Sequence, residues 1–148
     1  MSKHHRNRNW APAPQPLPED AHVIDNHTHV ASVVPFSQAM SHEAMEKGQG
    51  EVPVYSVDEL LKQAQDVGVE GVIDCGCELP NLMTAIDMAR EHPGTVHAAI
   101  AIHPNEAVLH GHRGAPGPDG LPIKYKPWHD IPFDEAMAEE HRLATTYP

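Results

Sequence analysis

Positive charge is scarce in this chain: ten Lys and Arg stand against 21 Asp and Glu, a formal net charge of −11. No broad basic surface can form, which excludes non-specific coating of nucleic acid, and a phosphate-bearing substrate must find its countercharge in bound metal or a local patch. Cysteine is scarce as well, with Cys75 and Cys77 one residue apart. Two such thiols cannot form the framework of a disulfide-rich secreted protein and read as free thiols in a reducing compartment. There is no run of about 20 apolar residues to span a membrane. The basic N-terminus, Met-Ser-Lys-His-His-Arg, has no apolar segment behind it to make a secretory signal. The expected location is the cytoplasm, with no membrane partner.

What is present in quantity is proline and glycine, 15 and 10 in 148 residues, within an otherwise globular composition of 40% apolar and 21% charged residues. Long irregular stretches follow from that content. Trp10 to Asp20 carries prolines at alternate positions and favours an extended polyproline II tether. The expected organisation is a Pro-rich tether over residues 1–20 and one folded unit over 21–148.

His22 to Asp25 is a β-branched run that ends in the polar cluster Asn26-His27-Thr28-His29, as a strand does when it delivers side chains to a site. Val30 to Tyr55 contains Pro35, Gly48, Gly50 and Pro53 and reads as a long loop with a short helical piece over residues 41–47. Val57, Leu60, Leu61, Ala64 and Val67 then fall at helical spacing, with Ser56 as N-cap, Glu59 as its capping-box partner and Gly68 as the stop. A second strand is expected over Val69 to Cys77 and a second helix from Leu79 to the residues before Pro93. Thr95 to Ile102 reads as a third strand, His103 to Ile131 as a Gly- and Pro-rich loop, and Phe133 to Ala144 as a third helix. Apolar strands alternating with helices give an α/β fold with a parallel sheet, its strands buried on both faces. A complete (β/α)8 barrel takes about 250 residues, so the expectation is a partial TIM-type barrel, the first three βα units.

His27 and His29 sit two apart at a strand end, where alternation sends both imidazoles to one face and within reach of one divalent ion. Asp25 has the same parity and is placed to orient an imidazole through its carboxylate. Spacing alone is weak evidence, because the 13 histidines make about one His-x-His expected by chance, and a second occurs at His110 and His112. That second pair lies in a Gly-rich loop and reads as surface or packing. The first is set apart by the apolar strand before it and by a fold class that places ligands at the carboxyl ends of strands. Cys75 and Cys77 read as small residues packing near the site, although thiolates are in principle metal ligands. Glu106 reads equally as a solvated loop carboxylate or a site residue.

The segments Val-Ile-Asp-Asn-His-Thr-His, Gly-Val-Ile-Asp-Cys-Gly-Cys and Ala-Ala-Ile-Ala-Ile-His-Pro-Asn-Glu-Ala resemble, in order and spacing, the N-terminal half of the TatD-like metal-dependent DNases over Val23 to Ala144. The resemblance implies a phosphodiesterase in which His27 and His29 hold one of one or two divalent ions, Mg, Mn or Zn, and a metal-activated water attacks phosphorus. His103 then faces DNA or another phosphodiester, whereas on its own a His before a Pro equally well caps a strand. The family's later ligands, a Glu, two His and an Asp, have no counterpart here, so the chain is expected to be incomplete or inactive alone. It would be completed by a C-terminal half or by self-association. Two other readings stay open: a non-catalytic half-barrel interaction module, and an amidohydrolase-like enzyme acting on another substrate.

Overall fold

The computed structural model describes residues 18, 20–49, 52–118, 120 and 122–147. The tether expected over residues 1–20 lies outside the described residues, apart from positions 18 and 20. Three strands, β1 (Val23–Thr28), β2 (Val69–Gly76) and β3 (Val96–Ile100), form one parallel sheet in the order β1-β2-β3. Parallel neighbours need crossovers, and helices supply them. Helices α1 (Val30–Glu46) and α2 (Val57–Asp66) lie between β1 and β2, and α3 (Leu79–Glu91) lies between β2 and β3. A single turn, α4 (Pro104–Ala107), a 3-10 turn (Pro127–Asp130) and α5 (Phe133–Thr146) follow. This is the α/β architecture of a partial TIM-type barrel.

The local signals for α2 act as read. The Ser56 hydroxyl accepts the Glu59 N–H at 3.2 Å, the Glu59 carboxylate accepts the Ser56 N–H at 2.7 Å, and Gly68 leaves the helix at φ +95°. That exchange satisfies two of the amide donors that a helix start leaves free, and it holds the Glu59 carboxyl below its ordinary value.

Two expected loops are corrected. Residues 30–46 form one 17-residue helix, not a loop with a short helical piece. Its inward stripe, Val30, Val34, Ser37, Ser41 and Ala44, keeps helical spacing but is built of small residues, so its apolar signal is faint. Pro35 lies within the helix on an exposed face, where its ring meets solvent and it forgoes one backbone bond. The segment 103–131, read as continuous loop, contains α4 and the 3-10 turn and buries Leu109, His110 and His129. β1 also runs on through the polar cluster to Thr28, with register irregularities against β2 between Val23 and Ile24 and between Asp25 and Thr28.

The helices cover one face of the sheet. Val30 of α1, Leu61 of α2, Val72 of β2 and Val96 of β3 form one core cluster, and Leu82, Ile86 and Leu143 form a second beside Ile100 and Ile102. On the other face Ile24 is 55% exposed, and His97 and Ala99 are also exposed. Burial of the strands on both faces is therefore not seen among the described residues, because nothing among them packs against that second face.

Candidate functional site

The carboxyl ends of the strands and the segments that leave them bound a cavity of about 620 Å³. Its wall includes His29, Asp74, Cys75, Cys77, Glu78, Asn81, His103, Asn105 and Glu106, together with Ser32 of α1 and Thr84 of α3. Gly76 is what lets β2 approach α3 so closely: a Cβ there would lie 2.9 Å from the Asn81 carbonyl oxygen and 3.1 Å from the Leu82 Cα.

His27 ends up inside β1 and His29 one residue beyond it, at the start of α1. Their rings meet edge to face with centroids 5.3 Å apart, and both are exposed. The Nδ1 of His29 lies 2.9 Å from the Cys75 carbonyl. A carbonyl only accepts, so Nδ1 carries the proton and, in the neutral ring, Nε2 keeps a free lone pair. A backbone acceptor on one ring nitrogen is the usual support of a metal-binding imidazole. Asp25 does something other than orient a ring: its carboxylate accepts the backbone N–H of His27 at 3.2 Å and fixes the strand end that carries the pair. His29 lines the cavity and His27 does not, so the pair meets across the edge of the site through the ring contact alone.

His103 caps the α4 turn. Its Nδ1 accepts the Asn105 N–H at 3.1 Å, so in the neutral ring the proton resides on Nε2. The polarity is opposite to that of His29, and His103 faces the same cavity as a donor. Capping the turn and facing the site are compatible, because each uses a different nitrogen.

Sequence reasoning missed most of the carboxylate side. Glu106 is buried, not a solvated loop residue: its carboxylate accepts from His129 Nε2 at 2.6 Å and from Trp128 Nε1 at 3.3 Å. His129, fully buried, also accepts the Lys126 N–H on Nδ1 at 2.9 Å. Lys126 Nζ in turn pairs with Glu78. These contacts bind the segment after α4 to the rim of the cavity. The only local hint was the Pro-Trp-His string, since the partners are more than 20 residues apart. His110, 1% exposed, packs against His129 and Phe133 and donates Nδ1–H to the Ile131 carbonyl at 2.9 Å, so of the two readings, surface or packing, it takes the second. His112 is exposed.

The cavity is acidic. Asp74, Glu78 and Glu106 line it, and no lysine or arginine does so among the described residues. The Cys77 thiol registers that field. Burial first, then Cys75 and the Glu78, Asp74 and Glu106 carboxylates, pushes its pKa up, which favours the neutral thiol over the thiolate. The donors suit a divalent ion, with two imidazoles at hand and the His29 Nε2 lone pair fixed by the bond that Nδ1–H makes to the Cys75 carbonyl. They are also few: no cluster of three or more His, Cys, Asp or Glu side chains that could hold a metal ion forms among the described residues.

No helix among the described residues is long and apolar enough to cross a membrane. No curated protein matches the chain. A family model described as TatD related DNase matches residues 24–139, which take in β2, β3, all of β1 but Val23 and every site residue discussed above, and the chain belongs to that family.

Proposed function

We propose that the chain is part of a divalent-metal-dependent phosphodiesterase acting on DNA, with His27 and His29 as the first ligands of one metal ion. The observation that carries this reading is the fixed polarity of His29, whose Nδ1–H is spent on the Cys75 carbonyl so that Nε2 is left to bind beside His27 at a strand end. When bound, a divalent ion, Mg, Mn or Zn, supplies Lewis acidity there and with it a more acidic water. His103, with Nδ1 engaged by Asn105, offers Nε2–H to a phosphate oxygen. Asp25 holds the backbone beneath the pair, and the acidic wall makes phosphate entry depend on bound cation.

Two imidazoles leave most of a metal's coordination sphere to water, substrate or groups outside the described residues, so catalysis is assigned to an assembly in which further strands supply ligands. Such strands come from a C-terminal half of the barrel or from a second copy. The free cysteines suit a reducing compartment, and we place the protein in the cytoplasm. The test is hydrolysis of single-stranded DNA with Mg²⁺, Mn²⁺ or Zn²⁺ added. The expected result is no turnover by the monomeric chain, and turnover that His29→Ala abolishes once the further strands are supplied. Robust turnover by a clean monomer would contradict the need for further ligands. Inactivity of the completed barrel would contradict the hydrolase.

A second reading, a binding module without catalysis, draws on the open sheet. β1 and β3 each pair only with β2 among the described residues, and unpaired parallel edges are templates for association. A sharp monomer peak by light scattering over a wide concentration range speaks against that module.

A further inference from the structure

Of the three carboxylates in the cavity wall, two have their charge answered. Glu78 is paired with Lys126, and Glu106 takes hydrogen bonds from His129 and Trp128. Asp74 is different. It is 2% exposed, and its Oδ1 has no hydrogen-bond partner among the described residues. A buried carboxylate oxygen left without a donor is costly for a fold to keep.

Its place on β2 shows which way it faces. Asp74 pairs in register with Thr28 of β1 and Ala98 of β3, and it shares its strand face with Val72, which packs on Val30 of α1 and Leu61 of α2. The carboxylate is therefore on the helix side of the sheet. His27, next to Thr28, has the opposite parity and lies outside the cavity lining. Thr28 does not answer Asp74, because its hydroxyl donates to the Ile73 carbonyl.

We infer that Asp74 anchors a hard divalent cation, Mg²⁺ or Mn²⁺, at a site in the cavity separate from the His27–His29 pair. The wall that holds Asp74 also carries the hydroxyl and amide oxygens of Ser32, Thr84 and Asn81, the donor type that such ions take. Mg²⁺ keeps several of its waters and binds through one or two carboxylates, so this site needs no cluster of three protein ligands. The bound cation neutralises Asp74 and reduces the negative field that would otherwise repel a phosphate from the cavity.

The test uses the full chain with Mn²⁺ as probe, counting bound ion by electron paramagnetic resonance. Asp74→Asn is expected to lose one equivalent, with affinity at least tenfold weaker, while the His27→Ala/His29→Ala double variant retains that equivalent. Free of metal, Asp74→Asn is expected to melt above the unaltered chain, since the isosteric amide removes the buried charge. Wild-type stoichiometry and affinity in Asp74→Asn would overturn the proposal, as would loss of the same single ion in both variants. In the unaltered chain, added Mg²⁺ must shift the Asp74 carboxyl carbon resonance. An unmoved resonance at saturating Mg²⁺ overturns the proposal however the variants behave.

Discussion

At His29 and His103 one hydrogen bond each decides what an imidazole can offer. The Cys75 carbonyl takes a proton from His29 and leaves a lone pair, whereas the Asn105 amide gives a proton to His103 and leaves a donor. The same logic applies to Cys77, where burial and neighbouring negative charge disfavour the thiolate. A raised pKa means less thiolate near neutrality, so iodoacetamide at pH 8 should modify Cys77 several-fold more slowly in the folded chain than in the urea-unfolded chain. Equal rates, followed by mass spectrometry, would contradict that environment. Strand parity is local and so readable in the sequence, but the register irregularity between Asp25 and Thr28 and the passage into α1 at His29, which interrupt the Asp25, His27, His29 alternation, were not. Nor were the partners of Glu106, since His129 and Trp128 approach it only after the intervening chain has folded back.

Among the elements, those with strong local signals formed where the sequence placed them. Ser56, Glu59 and Gly68 bound α2 by caps that act within a few residues, and the apolar runs of β2 and β3 need only pair. Helix α1 was illegible because Pro35 mimics a break and its inward stripe is small and partly hydroxylic. The junction of β2 with α3 is the most exacting contact between elements. Any side chain at position 76 meets the main chain of Asn81 and Leu82, which cannot swing aside as a side chain can. Gly76→Ala should therefore destabilise the fold by about 1–3 kcal/mol, as overpacking does, and displace the α3 start that borders the site. An unchanged urea midpoint would show that α3 is held more loosely than described.

For the molecule as a whole, a sheet with helices on one face and strand ends gathered at one rim carries the candidate site, and the segment after α4 closes over that rim. Its tie is the buried Glu106–His129 bond, assisted by Trp128 and by the Lys126–Glu78 pair. Removing one partner of such a bond leaves a buried carboxylate largely uncompensated. His129→Ala is expected to cost about 3 kcal/mol, while Arg142→Ala, which breaks the exposed pair with Glu139, should leave the urea midpoint nearly unchanged. Similar losses in both would mean that the segment is not fastened through Glu106. The α/β class was legible from the alternation of strands and helices, but the acidic character of the cavity was not. It arises from Asp74 on β2, Glu78 before α3 and Glu106 in α4, which come together only in the folded chain.

Long-range ¹H–¹⁵N NMR of the histidine rings during a Zn²⁺ titration reads at once whether His27 and His29 bind one metal ion and whether the Cys75 carbonyl sets the polarity of His29. His29 is expected to carry its proton on Nδ1 before metal is added, and Zn²⁺ to move the His29 Nε2 resonance together with a ring nitrogen of His27 while Nδ1 stays protonated. A proton on His29 Nε2, or imidazoles that ignore saturating Zn²⁺, would contradict it.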